Sequence, residues 1–308
     1  MTAVFEFPAL GTTAAVSATD PARLEWAVHV VRDEVAALDA ACSRFRPDSE
    51  LMGVPTGGER RVSPLLADVL QAVLVSARST AGAVDPTVGS AMTALGYDRD
   101  YAELAAERIE RPPCTAPRAA GADWRQVSFD RHERRVRIPA GVVVDVGAVG
   151  KAMAADRGAS RAAAAAGCGV LVNLGGDVSA AGSPPPGGWA VGIADSHRAD
   201  HARVDQTIAI THGAVATSSV TTRAWIHRGL QVHHIVDPLT GQPAPIVWRT
   251  VSVAAPTCAA ANTASTACLV RGADALANLS RWRLPARLVA ADGTAVTVGG
   301  WPQDGETA

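Results

Sequence analysis

"VVVDVGAVGKAMAADRG", residues 142–158, sets an apolar run against three glycines, a lysine and an alanine-rich tail. The valines and the aspartate read as a buried strand, the glycines as a close-approach turn, and the run after Lys151 as the start of a helix. Strand, glycine turn, lysine and helix together would suit a phosphate. A Walker A loop, however, requires G-x-x-x-x-G-K-[ST]. Here Asp145 stands five residues before Gly150, and Ala152 follows Lys151 where a hydroxyl would hold magnesium. The G-x-G-x-x-G spacing of a dinucleotide fold is also missing. Neither nucleotide-binding α/β fold accounts for this loop.

The remaining sequence points to an ordinary globular protein. With 308 residues, 48% of them hydrophobic, it can bury a sizeable core as one large domain or two small ones. A net charge of −2 with mixed signs argues against a nucleic-acid or membrane-surface partner. No apolar run reaches the roughly 18 residues of a spanning helix, and "MTAVFEFPAL" has neither a basic leader nor a small-residue cleavage site, so a cytoplasmic location is expected. The cysteines, Cys42, Cys114, Cys168, Cys258 and Cys268, are odd in number and show no C-x-x-C spacing. They read as plain thiols.

Along the chain, "FEFPALGTTAAVSA" reads as a strand pair or a bent strand. Asp20 caps a helix with Pro21 at its first position, and Leu24, Val28, Val31, Val35, Leu38 and Cys42 recur on one face. A second helix starts at Ser63–Pro64, carries Leu66, Val69, Leu70, Val73 and Leu74, and stops near Gly82. Residues 108–125 lack periodicity and read as an exposed connection. A third helix ends at Gly167, and the strand after it empties into Asn173, Gly175, Gly176 and Asp177, a usual place for ligand contacts. "WAVGIAD", "QTIAIT" and "AVATSS" are short strands, and Arg228–Gly229 and Thr240–Gly241 are turns. "RTVSVAAPT" is a strand running into the helix "CAAANTASTACLVRG". Irregular alternation with several hairpins predicts an α+β fold rather than a doubly wound parallel sheet.

Each polar cluster also has a structural reading. Asp85 before Pro86 suits a turn or cap. His233 and His234, placed in a strand, alternate faces. Asn262 and Thr266 share a helix face. Their order is more telling: "ALGTT" (9–13), "SRFRPDSEL" (43–51), "DPTVG" (85–89), "VDVGAVGKAMAADR" (144–157), "LVNLGGD" (171–177), "ATSS" (216–219), "HIVDPLTGQP" (234–243) and "APTCAAANTAST" (255–266). This series resembles the ApbE-like family of FAD:protein FMN transferases from about Phe7 to Val298. The resemblance implies a single domain over residues 1–308, T-fold-like and α+β. It also implies mixed, largely antiparallel sheets with packed helices and FAD in a cleft between two lobes.

The resemblance further implies that the enzyme cleaves the FAD pyrophosphate, passes FMN to a threonine or serine of an acceptor protein and releases AMP. Charge grows on the bridging oxygen as that bond breaks, so magnesium with hard oxygen ligands is expected. The family's metal ligands map to the Ala148 carbonyl and to Asn262 with Thr266. Asn262 stands where the family usually has aspartate, and a neutral amide brings no charge. Lys151 is the expected phosphate partner. Read as exposed, it is replaceable without loss of the fold. His234 and Asp237 match the segment beside the scissile phosphate, where His234 accepts the acceptor's proton or orients a phosphate oxygen. Leu10 stands where relatives have methionine against the flavin ring. Asp85, Asp156, Asn173, Asp177, Thr217 and Ser218 resemble residues lining the cleft. Two alternatives share these residues: a pyrophosphatase that turns FAD into FMN and AMP, and a non-catalytic FAD-binding protein.

Overall fold

The computed structural model describes residues 2–106, 123–195 and 204–303. Its helices are α1 (Leu24–Cys42), α2 (Pro64–Ser79), α3 (Gly89–Ala94), α4 (Tyr101–Ala106), α5 (Gly147–Ala166), α6 (Cys258–Arg271) and α7 (Ala275–Trp282). The chain divides into two compact units: residues 1–37, 151–222 and 246–308 form the first, and 38–150 and 223–245 the second. Cys114 and most of the expected connection at 108–125 lie outside the described residues; its end forms a short 3-10 turn, Trp124–Gln126, capped by Asp123. Among the described residues no helix is long and apolar enough to cross a membrane.

The first unit is built on an eight-stranded sheet with neighbours in the order Ala3–Ala9, Thr12–Ala18, Val170–Leu174, Asp177–Ala181, Gly213–Ser219, Trp248–Ala255, Ala286–Ala290 and Ala295–Val298. Every pairing is antiparallel. The opening hairpin turns on Leu10 (φ 49°) and Gly11 (φ 67°), a left-handed pair that suits the right-handed twist of its strands. Alternation along the strands sorts side chains to two faces. Val178 and Val215 join Trp189, Val191, Ile193, Ile208 and Ile210 in one apolar cluster. Asp177 and Ser179 instead engage α5 and α6, and Ser218 engages α6. Helix α6 packs on strands Gly213–Ser219 and Trp248–Ala255.

The second unit contains a three-stranded sheet, Glu59–Arg61, Arg135–Arg137 and Ser128–Asp130, with the hairpins Ala224–His227/Leu230–His233 and Val236–Asp237/Gln242–Pro243. Ser63 caps α2, accepting from Leu66 N, and Pro64 takes the first helical position. Arg228 and Gly229 both have positive φ, as a two-residue hairpin turn requires. Ala91, Met92, Leu95, Tyr97, Leu104, Trp225, Val232 and Val236 form its apolar cluster.

Two expectations need correction. Residues 142–146 are not a strand, and the helix begins at Gly147, before Lys151. The local pattern favours a strand, but Asp145 N donates to Pro86 O and the Asp145 carboxylate caps Gly147 N at 2.7 Å. The segment is thereby committed to starting a helix rather than to a ladder. His234 is likewise not in a strand, which ends at His233; His234 N donates to Arg223 O at the following bend.

Candidate functional site

Six side chains form a continuous polar network in the first unit. Asp177 opens its strand directly after a hairpin turn made by Gly175 (φ 64°) and Gly176 (φ 94°), and a Cβ at Gly175 would lie 2.3 Å from Thr12 Oγ1. The Asp177 side chain is 1% exposed, and Lys151 Nζ donates to its Oδ2 at 2.7 Å. Its Oδ1 accepts from Asn262 Nδ2 at 2.6 Å. Thr266, one helical turn on, directs Oγ1 to Asn262 Oδ1 at 3.3 Å and meets Ser218 Oγ at 3.0 Å. Ser265 closes the network on Ser218 at 2.7 Å. The Lys151 side chain is only 21% exposed, which corrects the expectation of an exposed lysine. It is also the chain's sole lysine, every other basic residue among the Lys and Arg being arginine.

Other expected site residues of this unit have their polar atoms engaged within the fold. Asp156 Oδ1 accepts from Ser179 Oγ and Cys258 N, both at 2.8 Å, and Oδ2 from Ala259 N at 3.1 Å, so it caps α6. Burial raises its pKa despite these donors. Asn173 Oδ1 accepts from Gly176 N at 2.9 Å and holds the glycine turn. Leu10, half-buried, occupies the first hairpin turn. Thr217 and Ser218 were expected to line one cleft, yet adjacent strand residues face opposite ways: Thr217 Oγ1 meets Ser252 Oγ at 2.8 Å while Ser218 meets α6.

In the second unit, Asp85 Oδ1 accepts from Thr87 N and Oγ1 at 2.8 and 2.6 Å, and Oδ2 from Trp124 N at 2.9 Å. Those bonds make Asp85 a cap. Asp237 Oδ1 accepts from Leu239 N at 2.9 Å, and its carbonyl accepts from Thr240 N and Gly241 N, which shapes the turn. His234, three residues earlier, is half-buried. His233 is buried, and its ring meets the Ala244 carbonyl through Nε2 at 3.1 Å; because a carbonyl only accepts, Nε2 carries the proton. Burial lowers the pKa of His233. Ala148 is the second residue of α5 rather than part of a loop, so its carbonyl belongs to the helical ladder and offers a ligand only its second lone pair. Arg44 holds Asp145 at 2.5 Å and lies over the Phe45 ring, 4.2 Å from its centroid.

Asn262 Oδ1, Thr266 Oγ1 and Ser218 Oγ are hard, uncharged oxygens, which fit a hard divalent cation better than a soft one. Among the described residues no group of three or more His, Cys, Asp or Glu side chains could hold a metal ion. The described cysteines are free; burial pushes Cys42 and Cys268 up to about 12, which leaves them unreactive thiols. Sequence reading placed Lys151, Asp177, Ser218, Asn262 and Thr266 in the site but not the bonds among them, which join residues 26 and 85 positions apart. Ser265 was missed; its signal is a second hydroxyl beside Thr266 in an alanine-rich helix. The solitary status of Lys151 was a further signal.

The sequence profile described as the ApbE family matches residues 10–288. A Treponema pallidum protein named FAD:protein FMN transferase is 28% identical over 272 residues, covering 80% of this chain and 72% of that protein. A Haemophilus influenzae protein of the same name is 24% identical over 277 residues, covering 86% and 79%. The ApbE protein of Thermotoga maritima superposes with a TM-score of 0.83 at 24% identity, covering 96% of this chain and 97% of that one. The Pseudomonas stutzeri flavinyl transferase ApbE superposes with a TM-score of 0.77 at 24% identity, covering 97% and 94%.

Proposed function

This chain belongs to the ApbE family, and we propose on that premise that it is an FAD:protein FMN transferase. It moves the FMN half of FAD onto a threonine or serine hydroxyl of an acceptor protein. The hydroxyl oxygen bonds to the phosphorus of the FMN half, the bond from that phosphorus to the bridging oxygen breaks, and its electron pair leaves with AMP. Neither unit is a continuous segment, which supports reading the two as parts of one transferase domain over residues 1–308.

The main support within the structure is the Lys151–Asp177–Asn262–Thr266 network, which presents an ammonium and neutral hard oxygens. Magnesium, when bound by Asn262 and Thr266, would neutralise charge on the pyrophosphate. Lys151 uses one of its three N–H donors on Asp177 and keeps two for phosphate oxygens. His234 takes the proton of the acceptor hydroxyl. Asp237 fixes the turn after His234, and Asp85, Asp156 and Asn173 act by holding backbone in place. Leu10 supplies apolar contact area to the flavin.

Chromatography of FAD incubated with the protein and magnesium, with and without acceptor protein, tests the reading. A transferase releases AMP without accumulating free FMN when acceptor is present. Equal amounts of AMP and free FMN under both conditions identify a pyrophosphatase, and no AMP identifies a binding protein.

A further inference from the structure

Asp177 is buried in the first unit and accepts from exactly those two groups that the transferase reading assigns to phosphate and metal. Both of its oxygens are used, Oδ2 by Lys151 Nζ at 2.7 Å and Oδ1 by Asn262 Nδ2 at 2.6 Å. Its side chain, 1% exposed, has too little free surface to act as a ligand itself. A carboxylate only accepts hydrogen bonds, so the amide must turn its NH2 toward Asp177. That fixes Asn262 Oδ1 toward Thr266 Oγ1, at 3.3 Å. The same contact explains why an amide stands at 262. A carboxylate there would bring two anionic oxygens to about the 2.6 Å now spanned by a hydrogen bond, inside a buried network.

We propose that Asp177 is the positioning residue of this site: it orients Asn262 Oδ1 and Lys151 Nζ together, and it is the reason residue 262 is an amide. The inference rests on the transferase reading for the purpose of the site, but the bonds that carry it do not. In the metal-free protein, the single negative charge of Asp177 and the single positive charge of Lys151 balance, and residue 262 contributes none. Lysine fits the arrangement better than the arginine used elsewhere in the chain, because a compact ammonium can serve Asp177 and still present further donors, whereas a guanidinium is a larger planar fork.

The pair can be exchanged without losing a hydrogen bond. In Asp177→Asn/Asn262→Asp, the amide at 177 donates to the carboxylate at 262 and accepts from Lys151, so the negative charge moves across that hydrogen bond onto the metal-facing side chain. Thermal unfolding is measured in EDTA and in magnesium for the parent, Asn262→Asp, Asp177→Asn and the exchanged double variant. The magnesium needed for half-maximal AMP release is measured on the same proteins.

Asn262→Asp is expected to melt about 5 °C or more below the parent in EDTA and to recover in magnesium. The exchanged variant is expected to melt within about 2 °C of the parent in EDTA and to need about tenfold less magnesium, since its ligand carries charge. Parental melting of Asn262→Asp in EDTA overturns the proposal. So does an exchanged variant that fails to fold, that melts no higher than Asn262→Asp, or that leaves the magnesium requirement unchanged. These melting temperatures do not depend on FAD chemistry, so a failure of the transferase reading, seen as no AMP from the parent, is separate from a failure of this one.

Discussion

Replacing Lys151 with alanine removes the ammonium 2.7 Å from Asp177 Oδ2 and leaves a carboxylate that is 1% exposed and hydrogen-bonded to Asn262. Removing one partner of a buried ion pair costs ~3–5 kcal/mol, because the other charge stays buried and uncompensated. Lys151 itself retains 21% exposure, and water then screens part of the pair, which places the loss near the lower end, about 3 kcal/mol. At roughly 2–4 °C per kcal/mol for a protein of this size class, the melting temperature falls by about 6–12 °C. Differential scanning calorimetry at neutral pH, without FAD or metal, measures it. Lys151→Ala/Asp177→Asn recovers part of the loss, since the buried charge is gone, and Lys151→Arg recovers less than a full lysine because the guanidinium is larger. Lys151→Ala melting within about 1 °C of the parent refutes the reasoning, and so does a double variant that is less stable than Lys151→Ala by the full cost of Asp177→Asn alone.

Further outcomes follow from the other residues. His234→Ala slows AMP release on the order of a hundredfold or more while FAD affinity, measured by calorimetry, changes little; a matching loss of affinity removes the acid–base role. Asp156→Ala takes away the acceptor of Cys258 N and Ala259 N at the start of α6 and lowers stability by about 1–2 kcal/mol in urea unfolding, whereas no change would mean the cap is dispensable. His233, whose pKa is lowered by burial, binds protons more readily unfolded than folded. Its contribution to stability is therefore full above the unfolded value near 6.5 and is lost as pH falls from there toward the folded value. The parent's melting temperature should drop more steeply than that of His233→Gln between about pH 7 and 5, and parallel profiles would contradict this.

The fold was largely legible where local chemistry decides it. Positive φ at Arg228 and Gly229 follows from a two-residue turn between strands, and Ser63–Pro64 announces the start of α2 by cap and ring geometry. Residues 142–146 misled because a valine run with one aspartate satisfies the strand pattern, while the partners that decide the segment, Pro86 and Arg44, lie far away in sequence. The same limit applies to the site. Spacing puts Asn262 and Thr266 on one helix face, but Asp177 reaches Asn262 across 85 positions, and no periodicity encodes that contact. Asp156 shows the converse. Its motif suggested a ligand contact, whereas its oxygens cap a helix that begins 102 residues later.

Covalent flavin on an acceptor tests the central claim most directly. Total protein containing an acceptor is incubated with this protein, FAD and magnesium, denatured, and separated by electrophoresis. The account predicts a flavin-fluorescent band that survives denaturation, appears in step with AMP, and has gained the mass of FMN less one water on a threonine or serine peptide. AMP release with free FMN and no such band contradicts it.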